Sequence, residues 1–248
     1  MSKHTLVIQS HRSPLPYGWL QQCLDTVKTT TEYNGYEYRF MGYELLDRLE
    51  DGLKLKIVQQ RVIGSDLARL LVMQELLQAG HQRVIWLDAD FLIFDPAKFI
   101  LPADDYAVGR EVWVQKDKHG KLRAYKKVHN AFLMFCRGNS FLGFYADTAK
   151  RLLNQNTGSM PSQFIGPKLL TAIHNVAMLP VMETAAMLSP MVIKDLLQGQ
   201  GTALELFRRE SADAPAGANL CISSCDRNEV SESEMLQLID LLLDSNLH

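Results

Sequence analysis

The chain has 248 residues, of which 26 are basic and 28 acidic, with 47% hydrophobic residues and a net charge of −2. That is long enough for one large α/β domain with a full core. So balanced a composition, with no basic stripe, excludes the electrostatic footprint of a general nucleic-acid binder. Of the four cysteines, only Cys221 and Cys225 lie close in sequence. They lack the further ligands of a zinc site, so all four are expected as buried free thiols.

Met1 to His4 runs directly into a strand-like Thr5 to Gln9, which leaves no room for a cleavable leader and points to a soluble cytoplasmic protein. The longest apolar stretch, Asn175 to Ile193, is broken by Pro180, Glu183 and Pro190 and makes a poor membrane span. Peripheral association with a membrane or an assembly remains open. A loop over Ser10 to Pro16 leads into a helix with Trp19, Leu20, Cys23, Leu24 and Val27 on one face, stopped by Asn34-Gly35. Tyr36 to Met41 alternates as a second strand. This β-α-β opening predicts a parallel sheet.

The next helix is expected to start at Ser65 as N-cap, to carry Leu67, Leu70, Leu71 and Leu77 inward, and to stop at Gly80. Then comes the most informative segment, Val84-Ile85-Trp86-Leu87-Asp88-Ala89-Asp90. Four apolar residues make a buried strand, and two carboxylates stand one residue apart at its exposed C-terminal end. Ligands of open α/β sheets bind at that end, and an oxygen-only pair suits Mg²⁺ or Mn²⁺ held jointly with substrate phosphates. The plainer alternative is an acidic turn. A helix of about 15 residues and a returning strand of about 18–20 Å put Asp66 and Arg69, with the free amides of a first helical turn, beside Asp88 and Asp90.

Beyond Pro96, Val108 to Val114 and Leu122 to Val128 flank Asp117-Lys118-His119-Gly120-Lys121 as a hairpin, and Val128 to Cys136 reads as a further strand. Helical patterns follow near Phe141 to Leu153 and Lys168 to Asn175. Ser211 to Asn219 is a loop, and Ser231-x-x-Glu234 is a capping box opening a C-terminal amphipathic helix.

Gly64-Ser65-Asp66-Leu67-Ala68-Arg69, the Asp88-Ala89-Asp90 strand, Asn130-Ala131-Phe132 and Gly166-Pro167-Lys168-Leu169-Leu170-Thr171 occur in that order over about residues 60 to 171. This succession resembles the DXD-containing sugar-binding transferases of the GT-A fold. The resemblance implies one GT-A-like domain over 1–248 with a mainly parallel central sheet flanked by helices. Residues 1–95 would form the nucleotide-sugar half, 96–230 the acceptor side, and 231–247 the C-terminal helix. It implies a glycosyltransferase that uses Mn²⁺ or Mg²⁺ to move a hexose, with retention, from a nucleotide-diphosphate sugar to a glycan or other hydroxyl acceptor. Asp90 would be the direct metal ligand and Asp88 would reach ribose and metal-bound water. Asp66 and Arg69 would hold the transferred sugar, with Arg69 near the β-phosphate. Asn130 and Gln163 would stand on the acceptor side, and His11 and Arg12 would begin the base-binding loop.

Two departures stand out. Gly80-His81-Gln82-Arg83 replaces the usual Gly-Gly-x-Tyr approach, and no late His motif supplies a further metal ligand; His174, Asp226 or Asn219 could serve. The competing readings are a phosphatase of the haloacid dehalogenase type, which also ends a strand in Asp-x-Asp, and a non-catalytic nucleotide-sugar-binding relative.

Overall fold

The computed structural model describes residues 5–56 and 60–244. Met1 to His4 and the expected helix end at 245–247 lie outside them. Strand β1 (Thr5–Ser10) is followed by α1 (Trp19–Tyr33), β2 (Glu37–Met41), a 3₁₀ turn (Tyr43–Arg48), α2 (Asp51–Lys56), α3 (Arg61–Gln78), β3 (Arg83–Leu87) and β4 (Phe91–Ile93). The hairpin strands β5 (Tyr106–Lys116) and β6 (Leu122–Cys136) lead to α4 (Ser140–Gln155), a kinked helical turn at Phe164–Lys168, and α5 (Leu169–Ala177). The chain continues as β7 (Val181–Met182), β8 (Ala185–Met187), α6 (Pro190–Leu197), α7 (Thr202–Glu210), β9 (Gly217–Asn219), α8 (Ile222–Asp226) and α9 (Glu232–Asp244).

The fold is α/β, with a parallel-rich central sheet flanked by helices, as expected. Six strands run in the order β2-β1-β3-β6-β5-β7; the β1 pairings with β2 and β3 and the β5–β7 pairing are parallel, while β6 is antiparallel to both neighbours. A second sheet runs β4-β9-β8. The uninterrupted apolar runs of β1 and β3 are explained by burial on both faces. Leu6, Ile8, Val84 and Trp86 join the core under α3 and α4, while Val7, Ile85 and Leu87 pack on the other face with Val27 of α1 and Phe91. A third cluster joins Trp19 and Leu20 to α6, α7, α9 and Val112 and Val114 of the hairpin.

Three sequence expectations are corrected. The helix expected from Ser65 begins at Arg61, because Ile63 is buried in the core and tertiary packing extends the helix a full turn past the local Gly-Ser stop signal. The strand read as Val128 to Cys136 and the second hairpin strand are one 15-residue β6, with a register shift opposite Val108/Gly109. The loop expected over Ser211 to Asn219 ends in β9, whose pairing with β4 and β8 no local periodicity announces. The capping box is present: Ser231 N–H donates to Glu234 Oε2 at 2.7 Å, and Glu234 N–H donates to Ser231 Oγ at 3.2 Å. Among the described residues no helix is long and apolar enough to cross a membrane, and all four cysteines are free, with Cys136 only partly buried.

Candidate active site

The parallel registers of β1, β2 and β3 bring Ser10, Met41 and Leu87 to one edge of the sheet. A cleft of 450 Å³ opens at that edge; Ser10, His11 and Arg12, the 3₁₀ turn, Ser65, Arg69, Trp86, Asp88, Asp90 and Asp226 line it. The strand-end placement of the carboxylate pair expected from the sequence is therefore present. The antiparallel β6 passes the same edge, where Asp88 N–H donates to the Ala131 carbonyl at 2.9 Å. Gln9, fully buried on β1, donates its amide to the Asp88 carbonyl at 3.0 Å.

Arg69 ties this edge together. Its Nη1 donates to the Asn130 carbonyl at 2.8 Å and is ion-paired with Asp88 Oδ1 at 2.9 Å, and Nη2 lies 3.1 Å from Asp66 Oδ1. Asn130 Nδ2 donates to the same Asp66 oxygen at 2.8 Å. The guanidinium also lies 4.9 Å from the centre of the Trp86 ring. Trp86 Nε1 in turn donates to Asp88 Oδ1 at 2.7 Å. Asp88 Oδ1 is thus fixed by the Trp86 donor and the Arg69 ion pair, while Oδ2 has no hydrogen-bond partner among the described residues. The side chain stays 27% exposed on the cleft wall.

Asp66 and Asn130 are brought into this cluster but stand behind Arg69, buried, rather than on the cleft wall. Gly166 seals them in: a Cβ there would lie 2.7 Å from Asp66 Oδ2 and 2.8 Å from Asn130 Nδ2. Tyr145 holds the turn by donating to the Ile165 carbonyl at 2.9 Å. Because α3 starts at Arg61, Asp66 and Arg69 lie beyond the free amides of its first turn and act through their side chains alone. Gln163 sits exposed at the start of the kinked turn, its carbonyl accepting from Lys168 N–H, outside the Arg69 cluster.

Asp90 is buried, which corrects the expectation of an exposed strand end. Its Oδ1 accepts from Asn219 Nδ2 at 2.6 Å and its Oδ2 from Ile222 N–H at 2.8 Å. Of the three late candidates, Asn219 therefore stands against the carboxylate pair. Asp226 lines the cleft and accepts from the Tyr17 hydroxyl at 2.9 Å. His174 lies elsewhere, on α5 and outside the cleft lining. Sequence reasoning missed Trp86 and Gln9 as positioning groups; both sit on apolar strands whose residues read as core.

Burial raises the Asp66 carboxyl to about 6, against the pull of Arg69 and Asn130. Arg69 divides its charge between two carboxylates, so Asp66 receives only partial compensation. For Arg69, burial opposes the charge, but Asp88 and Asp66 outweigh it and raise its pKa above the ordinary value. Asp90 is raised to about 6 by burial and then by the like charge of Asp88.

No protein-family model matches this chain. No curated protein matches it either. Solved structures do. A glycosyltransferase involved in glycosylation of the major capsid of PBCV-1 shares 12% identity over 95% of this chain and 98% of that one, with a TM-score of 0.48. PaToxG glycosyltransferase shares 11% identity over 99% and 87%, with a TM-score of 0.42. The 4-diphosphocytidyl-2C-methyl-D-erythritol synthase of Anaerococcus prevotii shares 10% over 66% and 83%, with a TM-score of 0.32. All three are distant, and the chemistry rests on the residues themselves.

Asp88 Oδ2 and the remaining lone pairs of Asp90 are hard oxygen donors at the cleft. Among the described residues no group of three or more His, Cys, Asp or Glu side chains could hold a metal alone. A divalent ion fits here in the manner of Mg²⁺ sites, through one or two carboxylates with the rest of its shell drawn from a bound phosphate ligand.

Proposed function

We propose that this chain is a metal-dependent glycosyltransferase that moves a hexose, with retention, from a nucleotide-diphosphate sugar to a glycan or other hydroxyl acceptor. One observation carries the reading: a guanidinium pinned by Asp66, Asp88 and Asn130 on the wall of a cleft that also holds Asp90 and opens at the carboxyl ends of parallel strands. Its 450 Å³ lies in the range of small-molecule sites, roughly 300–1,000 Å³.

Departure of a nucleoside diphosphate from an anomeric carbon builds negative charge on the β-phosphate. Arg69, locked in place before substrate arrives, meets that charge without reorganising. Asp66 and Asn130 position Arg69 through its Nη atoms; Trp86 and Gln9 position Asp88. Mn²⁺ or Mg²⁺, held by Asp88 and Asp90, would supply Lewis-acid stabilisation of the same leaving group. Asn219 and the Ile222 N–H orient Asp90 toward that role. His11 and Arg12 flank the cleft mouth, where the nucleoside base would lie. Gln163 and the Gly166 turn stand on the acceptor side.

Calorimetric titration of UDP and GDP with and without Mn²⁺ tests the reading. Binding by one of them that strengthens at least tenfold with the cation is expected, and equal affinity in both conditions refutes it. The anomeric configuration of the product, read by NMR, decides retention.

A further inference from the structure

The near-neutral total charge conceals a local concentration. Residues 116–127 hold six of the 26 basic side chains and one of the 28 acidic ones. They form the outer part of the β5–β6 hairpin. Lys126 is paired with Glu210, Lys127 with Glu111 and Arg123 with Asp117. Lys116, Lys118 and Lys121 have no acidic partner among the described residues.

Strand alternation sorts the hairpin into two faces. Val112, Val114, Leu122 and Ala124 pack inward on the α6, α7 and α9 cluster. On the opposite face the register pairs Glu111 with Lys127, Trp113 with Tyr125 and Gln115 with Arg123. That row combines two aromatic residues, a cation 5.9 Å from the Tyr125 ring centre, and a Gln115 side chain that accepts from Trp113 Nε1 at 3.0 Å. Tyr125 is 37% exposed.

Strand β6 runs from the row to the cleft edge. It meets Arg69 and Asp88 through the Asn130 and Ala131 carbonyls, and Tyr125 lies five residues further along, about 16 Å away at roughly 3.3 Å per residue.

We propose that this hairpin face is the acceptor platform, and that the acceptor is an anionic glycan bearing carboxylates or phosphates, laid along the row with its reacting hydroxyl at the cleft. The inference rests on the transferase reading of the cleft. Sugar rings offer apolar faces to Trp113 and Tyr125 and hydroxyls to Gln115 and Arg123, while their charged groups meet Lys118 and Lys121 at the tip. A nucleic-acid strand carries a charge on every unit and would need free cations along the whole row, where Arg123 and Lys127 are already paired with Asp117 and Glu111. The tip, Lys116 to Lys121, has no apolar residue to enter a membrane.

The experiment measures binding of alginate, hyaluronan and phosphomannan fragments, with dextran, oligo(dT) and phosphatidylserine vesicles as alternatives. It compares wild type, Tyr125→Ala and the double variant Lys118→Glu, Lys121→Glu. Binding of at least one anionic glycan is expected, weakened at least tenfold in each variant and by added salt, with dextran unbound. The proposal is overturned if none of the anionic glycans binds, if the variants bind as wild type does, or if oligo(dT) or the vesicles bind in their place. UDP and GDP titrations with Mn²⁺ on the same samples separate the two readings. Nucleotide binding with hairpin-independent glycan binding defeats the platform alone; hairpin-dependent glycan binding without nucleotide binding upholds the glycan-binding face but defeats the transferase reading and the acceptor role with it.

Discussion

Replacing Asp66 with Asn should change how the stability of the fold depends on pH. The buried carboxyl titrates at about 6 rather than 3.8. Between those values the folded protein keeps a proton that the unfolded chain has released, so this group favours the fold below about pH 4 and loses that contribution as pH rises through about 6. The upward shift corresponds to about 3 kcal/mol at ~1.4 kcal/mol per pKa unit. For a chain of this size that is roughly 6–12 °C in Tm. Removing the carboxylate also takes one counter-ion from Arg69, but arginine stays charged throughout, so this loss shifts the level of stability and leaves the slope alone. The assay is urea denaturation of wild type and Asp66→Asn from pH 4 to 7.5 without divalent cations. The difference, wild type minus variant, should fall by about 2.4 kcal/mol over that range, the rest of the shift lying below pH 4. A difference constant within about 0.5 kcal/mol refutes the argument that burial governs this group.

Asp90→Asn must turn an amide N–H toward either Asn219 Nδ2 or Ile222 N–H; cation-dependent nucleotide affinity should fall about 100-fold by calorimetry, and unchanged affinity would remove Asp90 from the metal site. Arg69→Lys keeps the charge but not the fork that spans Asp66, Asp88 and Asn130, so turnover should drop about 100-fold with a smaller change in nucleotide Kd. Equal turnover would mean the clamp is structural only. Gly166→Ala places a Cβ 2.7 Å from Asp66 Oδ2; it should cost about 1–3 kcal/mol in denaturation and lower turnover through Asn130 and Asp66. A fully stable, fully active variant would show that the turn yields without cost.

The sequence alone determined the opening β-α-β unit, the strand ending in Asp88-Ala89-Asp90, the hairpin around Asp117 to Lys121 and the C-terminal capping box. Each of these rests on local physics: apolar runs and their period, turn residues and a reciprocal cap. The approach of Asp66 and Arg69 to Asp88 was legible too, because a helix and its returning strand have fixed rises. The tertiary structure decided the rest. Packing of Ile63 moved the helix start to Arg61 and withdrew the free amides from Asp66. Pairing of β9 with β4 and β8 delivered Asn219 to Asp90 across 129 residues, a contact that no spacing in the chain encodes. Burial, which raises both Asp66 and Asp90 to about 6, comes with Gly166 and Asn130 packed on Asp66 and with Asn219 and Ile222 packed on Asp90. Those neighbours are far apart along the chain, and only folding makes them one environment.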